Sequence, residues 1–260
     1  KYMKKTNKRF IAALVVGLSL VAAACGSSDD AAEETPAAAG GELEGMKGTM
    51  PLVALSDEFK TGMNEFWVAA GNAELTDFSY AAEAFDSVML VALAAEAAKT
   101  DGSALAGEIM NVSRDGETCT EFAACVELIK AGTDINFEGV SGPQDMNGNG
   151  EPIKASYGVL TFDATNRFDY ADAEYILADL PESDYVDLQA PTVERAGDGV
   201  LKFGTLLPET GNLAFLGPPE FAGVEYAISL INAAGGVLGK PVEYVQGDSG
   251  DTSTDTASTT

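Results

Sequence analysis

The sequence predicts an α/β fold whose clearest unit, a parallel β-α-β, sits near the far end of a 260-residue chain. Three observations carry this. The apolar run VLKFGTLLP at 200–208 reads as a strand. Pro218-Pro219 then opens a helix whose Phe221, Val224, Ile228 and Ile231 share one face, and Gly235-Gly236 ends it. VEYVQGD at 242–248 reads as a second strand. Strands joined through a helix run parallel, with a right-handed crossover.

The preceding elements follow in chain order. Residues 43–64 mix Gly, Met and Pro, with a short helix starting from Ser56, an N-cap ahead of Asp57 and Glu58. YAAEAFDSVMLVALAAEAAK at 80–99 has high helix propensity. Ala84, Val88, Val91 and Ala95 form a stripe flanked by Phe85 and Leu93. So few polar residues interrupt it that most of its circumference should be buried, against a sheet. A second helix is expected over 104–112. A third is expected over about 120–131, with Thr118 and Glu121 at capping-box spacing and Gly132 as its stop. INFEGVSGPQDMNGNGEP and ASYGVLTFDATNRF are short strand-like runs separated by turn chemistry. Residues 179–198 are acidic and without periodicity. The expected division is therefore 43–178, a linker at 179–198, and the β-α-β segment at 199–260.

The N-terminal part reads as a targeting segment. Lys4, Lys5, Lys8 and Arg9 follow Met3, the expected true start, and Phe10 to Ala24 is an uncharged run of 15 residues. That is short for a membrane span and long enough for a signal peptide, assigned to 1–24. Ala22-Ala23-Ala24-Cys25 resembles a bacterial lipobox, which makes Cys25 the lipidation site; Ala22 stands where that pattern prefers Leu. An ordinary signal peptide ending near the cysteine is the alternative. Segment 25–42 has the composition of a disordered tether. Formal net charge is −26, and five of the 15 basic residues lie in 1–24, so the rest of the chain carries −31. Such a chain repels phosphate backbones, which excludes nucleic-acid partners. The most apolar later stretch, 80–98, holds Glu83, Asp86 and Glu96, which are costly in lipid.

Cysteine parity leaves Cys119 and Cys125 once Cys25 is lipidated, and export permits a disulfide between them. Two cysteines in a chain without histidine make a poor zinc site, so no metal is expected. Asp145-Met146-Asn147-Gly148-Asn149-Gly150 resembles the start of a calcium loop. Ser156, however, occupies the twelfth position, which must supply a bidentate Glu, so a Gly-rich hairpin turn is the leading reading. No phosphate-binding glycine motif occurs. Without histidine, Ser-His-Asp and Cys-His chemistry are impossible for this chain, and no catalytic residue is assigned. The loop 209–217 sits where open α/β sheets hold ligands, at a strand's end and a helix's start, where backbone N–H groups favour anions. Its hydroxyl (Thr210), glycines and apolar side chains (Phe215, Leu216) suit a small zwitterion with an apolar or amide tail; a structural βα turn is the alternative.

GVLKFGTLLPETGNLAFLGPPEFAGVEYAISLINAAGGVLGKPVEYVQGD, 199–248, resembles the mature N-terminal part of type I periplasmic binding proteins, in the branched-chain amino acid and amide subfamily. Residues 75–165 resemble the same family's C-terminal part. SYAAEAFDSVMLVALAAEAA is similar to its late second-lobe helix, and FEGVSGPQDMNGNGEP and SYGVLTF to its closing strands. The family's order is thus inverted here, by circular permutation or by a duplicated end segment placed before a complete binding protein. The middle of both lobes is missing, and a shortened reading frame is expected after Thr260. The resemblance implies a partial type I fold of two Rossmann-like lobes, 43–178 contributing the second and 199–260 the first. It implies an extracytoplasmic lipoprotein that binds branched-chain amino acids or small amides between lobes and delivers them to the permease and ATPase of an ABC importer. No cofactor is implied, and the membrane is met through the lipid anchor only. A sensory module of the same fold is the alternative. The ligand residues implied are Thr210, Gly211, Phe215, Leu216 (where relatives often have an aromatic) and Gly217 in the first lobe, with Phe78 and Tyr80 bordering the cleft; core packing is the alternative for these two.

Overall fold

The computed structural model describes residues 41–180 and 194–250. The expected signal segment, Cys25, nearly all of the tether, residues 181–193 of the linker and the closing 251–260 lie outside the described residues.

Helix α1 (Asp57–Ala69) begins where the Ser56 hydroxyl accepts the Phe59 N–H at 3.1 Å, with Asp57 and Glu58 complementing its dipole. Phe59, Met63 and Trp67, four residues apart, form its buried face. Helix α2 (Ala81–Ala98) buries most of its circumference, but its apolar centre lies on Phe85, Met89, Ala92 and Leu93. Ala84 and Val91, expected on the central stripe, are only partly buried. Its neighbours are chiefly helices: α3 (Leu105–Asn111), α4 (Phe122–Ala131) and α5 (Gly217–Ala233), with one strand beside them. The expected sheet backing gives way because α2 is rich in alanine, which lets helices approach closely. At the tightest point a Cβ on Gly223 of α5 would lie 2.2 Å from the Ala81 carbonyl oxygen, so only glycine fits there.

Three small sheets surround these helices. β1 (Lys47–Pro51), β5 (Lys154–Thr161) and β6 (Glu174–Asp179) form an antiparallel sheet in the order β1-β5-β6. β2 (Glu117–Cys119) and β3 (Ile135–Gly139) are parallel across α4, and β4 (Gly142–Pro143) returns antiparallel to β3. β7 (Lys202–Gly204) and β8 (Glu243–Val245) are parallel across α5. Regular pairing there is shorter than 200–208 and 242–248. It continues irregularly: the Thr205 N–H donates to the Val245 carbonyl, and Leu207 bridges Asp248.

The expected capping box does not form. Thr118 belongs to β2, and Glu121 is an N-cap without a side-chain hydrogen bond, although Gly132 does end α4 in the left-handed conformation (φ 81°). Cys119 and Cys125 are disulfide-bonded with their Cα atoms 5.4 Å apart, tying β2 to α4. The 145–151 segment is a turn closed by a Met146–Pro152 bridge around buried Asn147, whose side-chain oxygen accepts the N–H groups of Asn149 and Glu151. Asp145 pairs with Lys154 at 2.8 Å.

One apolar core joins side chains from both parts of the chain: Met63, Phe85, Leu93, Phe137, Phe221, Ile228 and Ile231 all belong to it. Two buried carboxylates stitch loops to that core. Asp86 accepts the N–H groups of Val140 (3.0 Å) and Ser141 (2.7 Å), the Ser141 hydroxyl and the Gln144 amide. Asp101 accepts the N–H groups of Asp198 (3.1 Å) and Gly199 (2.7 Å), while Arg195 donates to the Asp101 carbonyl. The end of the expected linker is therefore docked on the α2–α3 turn.

Candidate functional site

The segment joining β1 to α1, the first turn of α2 and the chain around Tyr170–Tyr175 enclose a cavity of about 360 Å³. That volume lies within the range of small-molecule sites, roughly 300–1,000 Å³. Its walls include Phe78, Tyr80, Tyr170 and Tyr175, and its charged groups are Lys60, Asp77 and Glu83. Asp77 and Ser79 shape the entry to α2: one Asp77 oxygen accepts both the Ser79 N–H (2.9 Å) and its hydroxyl (2.7 Å). Tyr80 follows in the left-handed conformation (φ 62°, ψ 2°), a strained state for a bulky residue that costs of order 1–3 kcal/mol. Burial pushes the Glu83 carboxyl up, against the pull of its own backbone N–H. Lys60 meets Asp57 at 2.9 Å on a side where Asp57 is almost fully exposed, a weak pair that leaves its ammonium exchangeable.

The 209–217 loop lies on the surface beside this cavity. Thr210 and Gly211 are exposed, Phe215 is 65 % exposed, Leu216 is half-buried and Gly217 is buried. Phe215 lines a second concavity of about 350 Å³ together with Trp67, Glu74, Pro218 and Pro219. Thr76 and Asp77 line both spaces and so form a shared wall. The structure thus brings Phe78 and Tyr80 together in one cavity and puts Phe215 at its neighbour.

Two sequence-based expectations about this loop change. The Thr210 hydroxyl is already engaged at the surface: it donates to one Asp248 oxygen at 2.5 Å, and the Thr210 N–H donates to the other at 3.1 Å. The anion-favouring amides are also absent at the start of α5. Of the four N–H groups a helix leaves free, Leu216 and Gly217 donate to Leu213 and Ala214, and Pro218 and Pro219 have none.

The family described as receptor family ligand binding region matches residues 28–165, more than half of the chain, and the one described as periplasmic binding protein matches 200–260. The chain belongs to the type I periplasmic binding proteins. Among curated relatives, a Leu/Ile/Val-binding protein homolog 8 of Brucella abortus (strain 2308) is 43% identical over 60 residues, 23% of this chain and 15% of the relative. Homolog 8 of Brucella suis biovar 1 (strain 1330) is 45% identical over 51 residues, 20% and 13% of the two chains. Homolog 7 of Brucella abortus (strain 2308) is 42% identical over 64 residues, 25% and 16%. The matches span about a seventh of the length of these relatives. No solved structure matches the chain at a significant level.

For a periplasmic binding protein of this type, the residues that sequence reasoning missed are Lys60, Asp77, Glu83, Tyr170 and Tyr175. Each belongs to a segment far from the 209–217 loop in sequence. The available signal was the DFSY run before α2, which had already singled out Phe78 and Tyr80.

Proposed function

We propose that this chain is an extracytoplasmic solute-binding lipoprotein, anchored through Cys25, that holds a small zwitterion in the 360 Å³ cavity for an ABC importer. The ligand class is a branched-chain amino acid or a related small amide. The observation that carries the reading is one cavity bringing Lys60, Asp77 and Glu83 together among Phe78, Tyr80, Tyr170 and Tyr175. The lysine suits a ligand carboxylate, the two acids suit an ammonium, and the rings suit an apolar side chain. Its role is binding and release, with no covalent step. The permease and ATPase are partners of this reading, in which 43–178 belongs to the second lobe and 199–260 to the first.

Calorimetry with L-leucine tests it. Saturable binding by the full chain, weakened in Lys60→Met and Glu83→Gln, supports the reading. Failure of leucine, valine and small amides alike to bind removes it. The receptor-type match over 28–165 favours a second reading, a sensory module. A ligand-loaded chain that stimulates its permease–ATPase pair in vesicles decides for import.

A further inference from the structure

We infer that the concavity under Phe215 is a separate site for a small organic cation, an ammonium carried on a flat apolar body. Its lining favours a cation. Trp67 and Phe215 supply aromatic surface, Pro218 and Pro219 supply ring edges, and Glu74 and Asp77 supply negative charge. No Lys or Arg is among its lining residues. The neighbouring cavity has the opposite balance at one end, because Lys60 is there.

The start of α5 favours the same charge. A helix N-terminus ordinarily draws anions through its free N–H groups. Here those of Leu216 and Gly217 are bonded within the loop, Pro218 and Pro219 supply none, and Glu220 adds a carboxylate to the first turn. A ligand carboxylate would meet no cationic side chain there and would face acids. An ammonium finds carboxylates and the exposed Phe215 ring beside the largely buried Trp67, a combination that stabilises cations at partly desolvated sites. The space of about 350 Å³ admits such a molecule, and Phe215, 65 % exposed, is the face it would cover. The occupant follows from charge complementarity: an arylammonium or alkylammonium, not a carboxylate.

Trp67 is the chain's sole tryptophan, so its fluorescence reports on this site directly. Benzylammonium is the probe, with phenylacetate and benzyl alcohol as comparators of the same shape. The expected result is a saturable change in Trp67 emission with benzylammonium, at least tenfold weaker with phenylacetate. Phe215→Ala and Glu74→Gln should each weaken benzylammonium binding about threefold or more. Both are surface changes, and matched thermal melts confirm that the variants fold. Equal or tighter binding of phenylacetate, or unchanged benzylammonium binding in both variants, overturns the proposal. Lys60→Met separates it from the zwitterion reading. That variant should retain benzylammonium binding, and a wild-type chain that binds benzylammonium but no leucine would remove only the earlier proposal.

Discussion

The N-terminal turns of α2 and α5 belong to helices that touch at Ala81 and Gly223, yet they face different chemistry. The turn of α2 lines a cavity holding both charge signs, with a strained Tyr80 at its lip. The turn of α5 begins with two prolines and faces aromatic rings and acids. Position alone, at the start of a helix, would have given both the same preference for anions. At α5 the loop bonds of Leu216 and Gly217 and the two prolines remove that preference, a consequence of residue identity.

The largest effect should come from breaking the contact that holds the two turns together. Gly223→Val places side-chain atoms where the Ala81 carbonyl already lies, and backbone cannot move aside as a side chain can. We expect more than about 3 kcal/mol of lost stability in urea denaturation, with both cavities lost together. A variant that keeps either binding activity at full strength would show that the two sites do not depend on the shared core.

Next in size is Asp86, beside the α2 turn. Burial raises its carboxyl to about 6, with hydrogen bonds from Ser141 and Val140 pulling the other way and Glu83 adding repulsion. A raised folded-state value means that the proton is held more tightly when folded. The contribution is therefore complete below the unfolded value near 4 and is lost as pH rises through 6. The ceiling on that loss is about 3 kcal/mol. The difference in urea midpoint between wild type and Asp86→Asn should accordingly shrink from pH 4 to pH 7. A difference that is constant over this range would contradict the assignment.

These two predictions rest on features of unequal legibility. The β-α-β at 202–245, the α1 cap at Ser56 and the stop at Gly132 were readable because each depends on neighbours within one or two turns. The second parallel pair, β2 and β3, was missed because Glu117–Cys119 is three residues long, too short for any periodicity. β1 was missed because KGTMP gains its strand character from pairing with β5 over a hundred residues away. The cavity beside Phe78 and Tyr80 was half legible. Phe78 and Tyr80 stood out, but Lys60, Tyr170 and Tyr175 reach it through tertiary folding that no local pattern encodes. The engagement of the Thr210 hydroxyl depends on Asp248, one strand later.

Exchanging charges across the shared wall sharpens the contrast between the cavities at smaller cost. Lys60→Met should lower leucine affinity about tenfold or more, the range for a hydrogen bond to a charged group, and leave benzylammonium unaffected. Glu74→Gln should do the reverse. Titration calorimetry with both ligands on both variants checks this. A lysine change that weakens both ligands equally would merge the two spaces into one site.

The smallest expected effect lies at Asp248, which holds the 209–217 loop. One of its oxygens accepts the N–H groups of Glu209 (3.0 Å), Thr210 (3.1 Å) and Gly250 (2.8 Å), and the other accepts the Thr210 hydroxyl. The Thr210 hydroxyl and these N–H groups hold its carboxyl down to about 2. A depressed folded-state value contributes stability above the unfolded value near 4 and loses it as pH falls through 2, so the clamp stays charged throughout the range in which Asp86 titrates. Asp248→Asn should raise hydrogen exchange at the Glu209 and Thr210 amides and shift the global melt by only a few degrees, because the loop is exposed and lies outside the core. Thr210→Ser should keep the protection and Thr210→Val should lose part of it, since only serine preserves the donated hydroxyl. If Phe215 owes its place to this clamp, benzylammonium binding should weaken along the same order. Unchanged exchange in Asp248→Asn would show that the successive turns from Gly211 to Gly217 hold the loop without it.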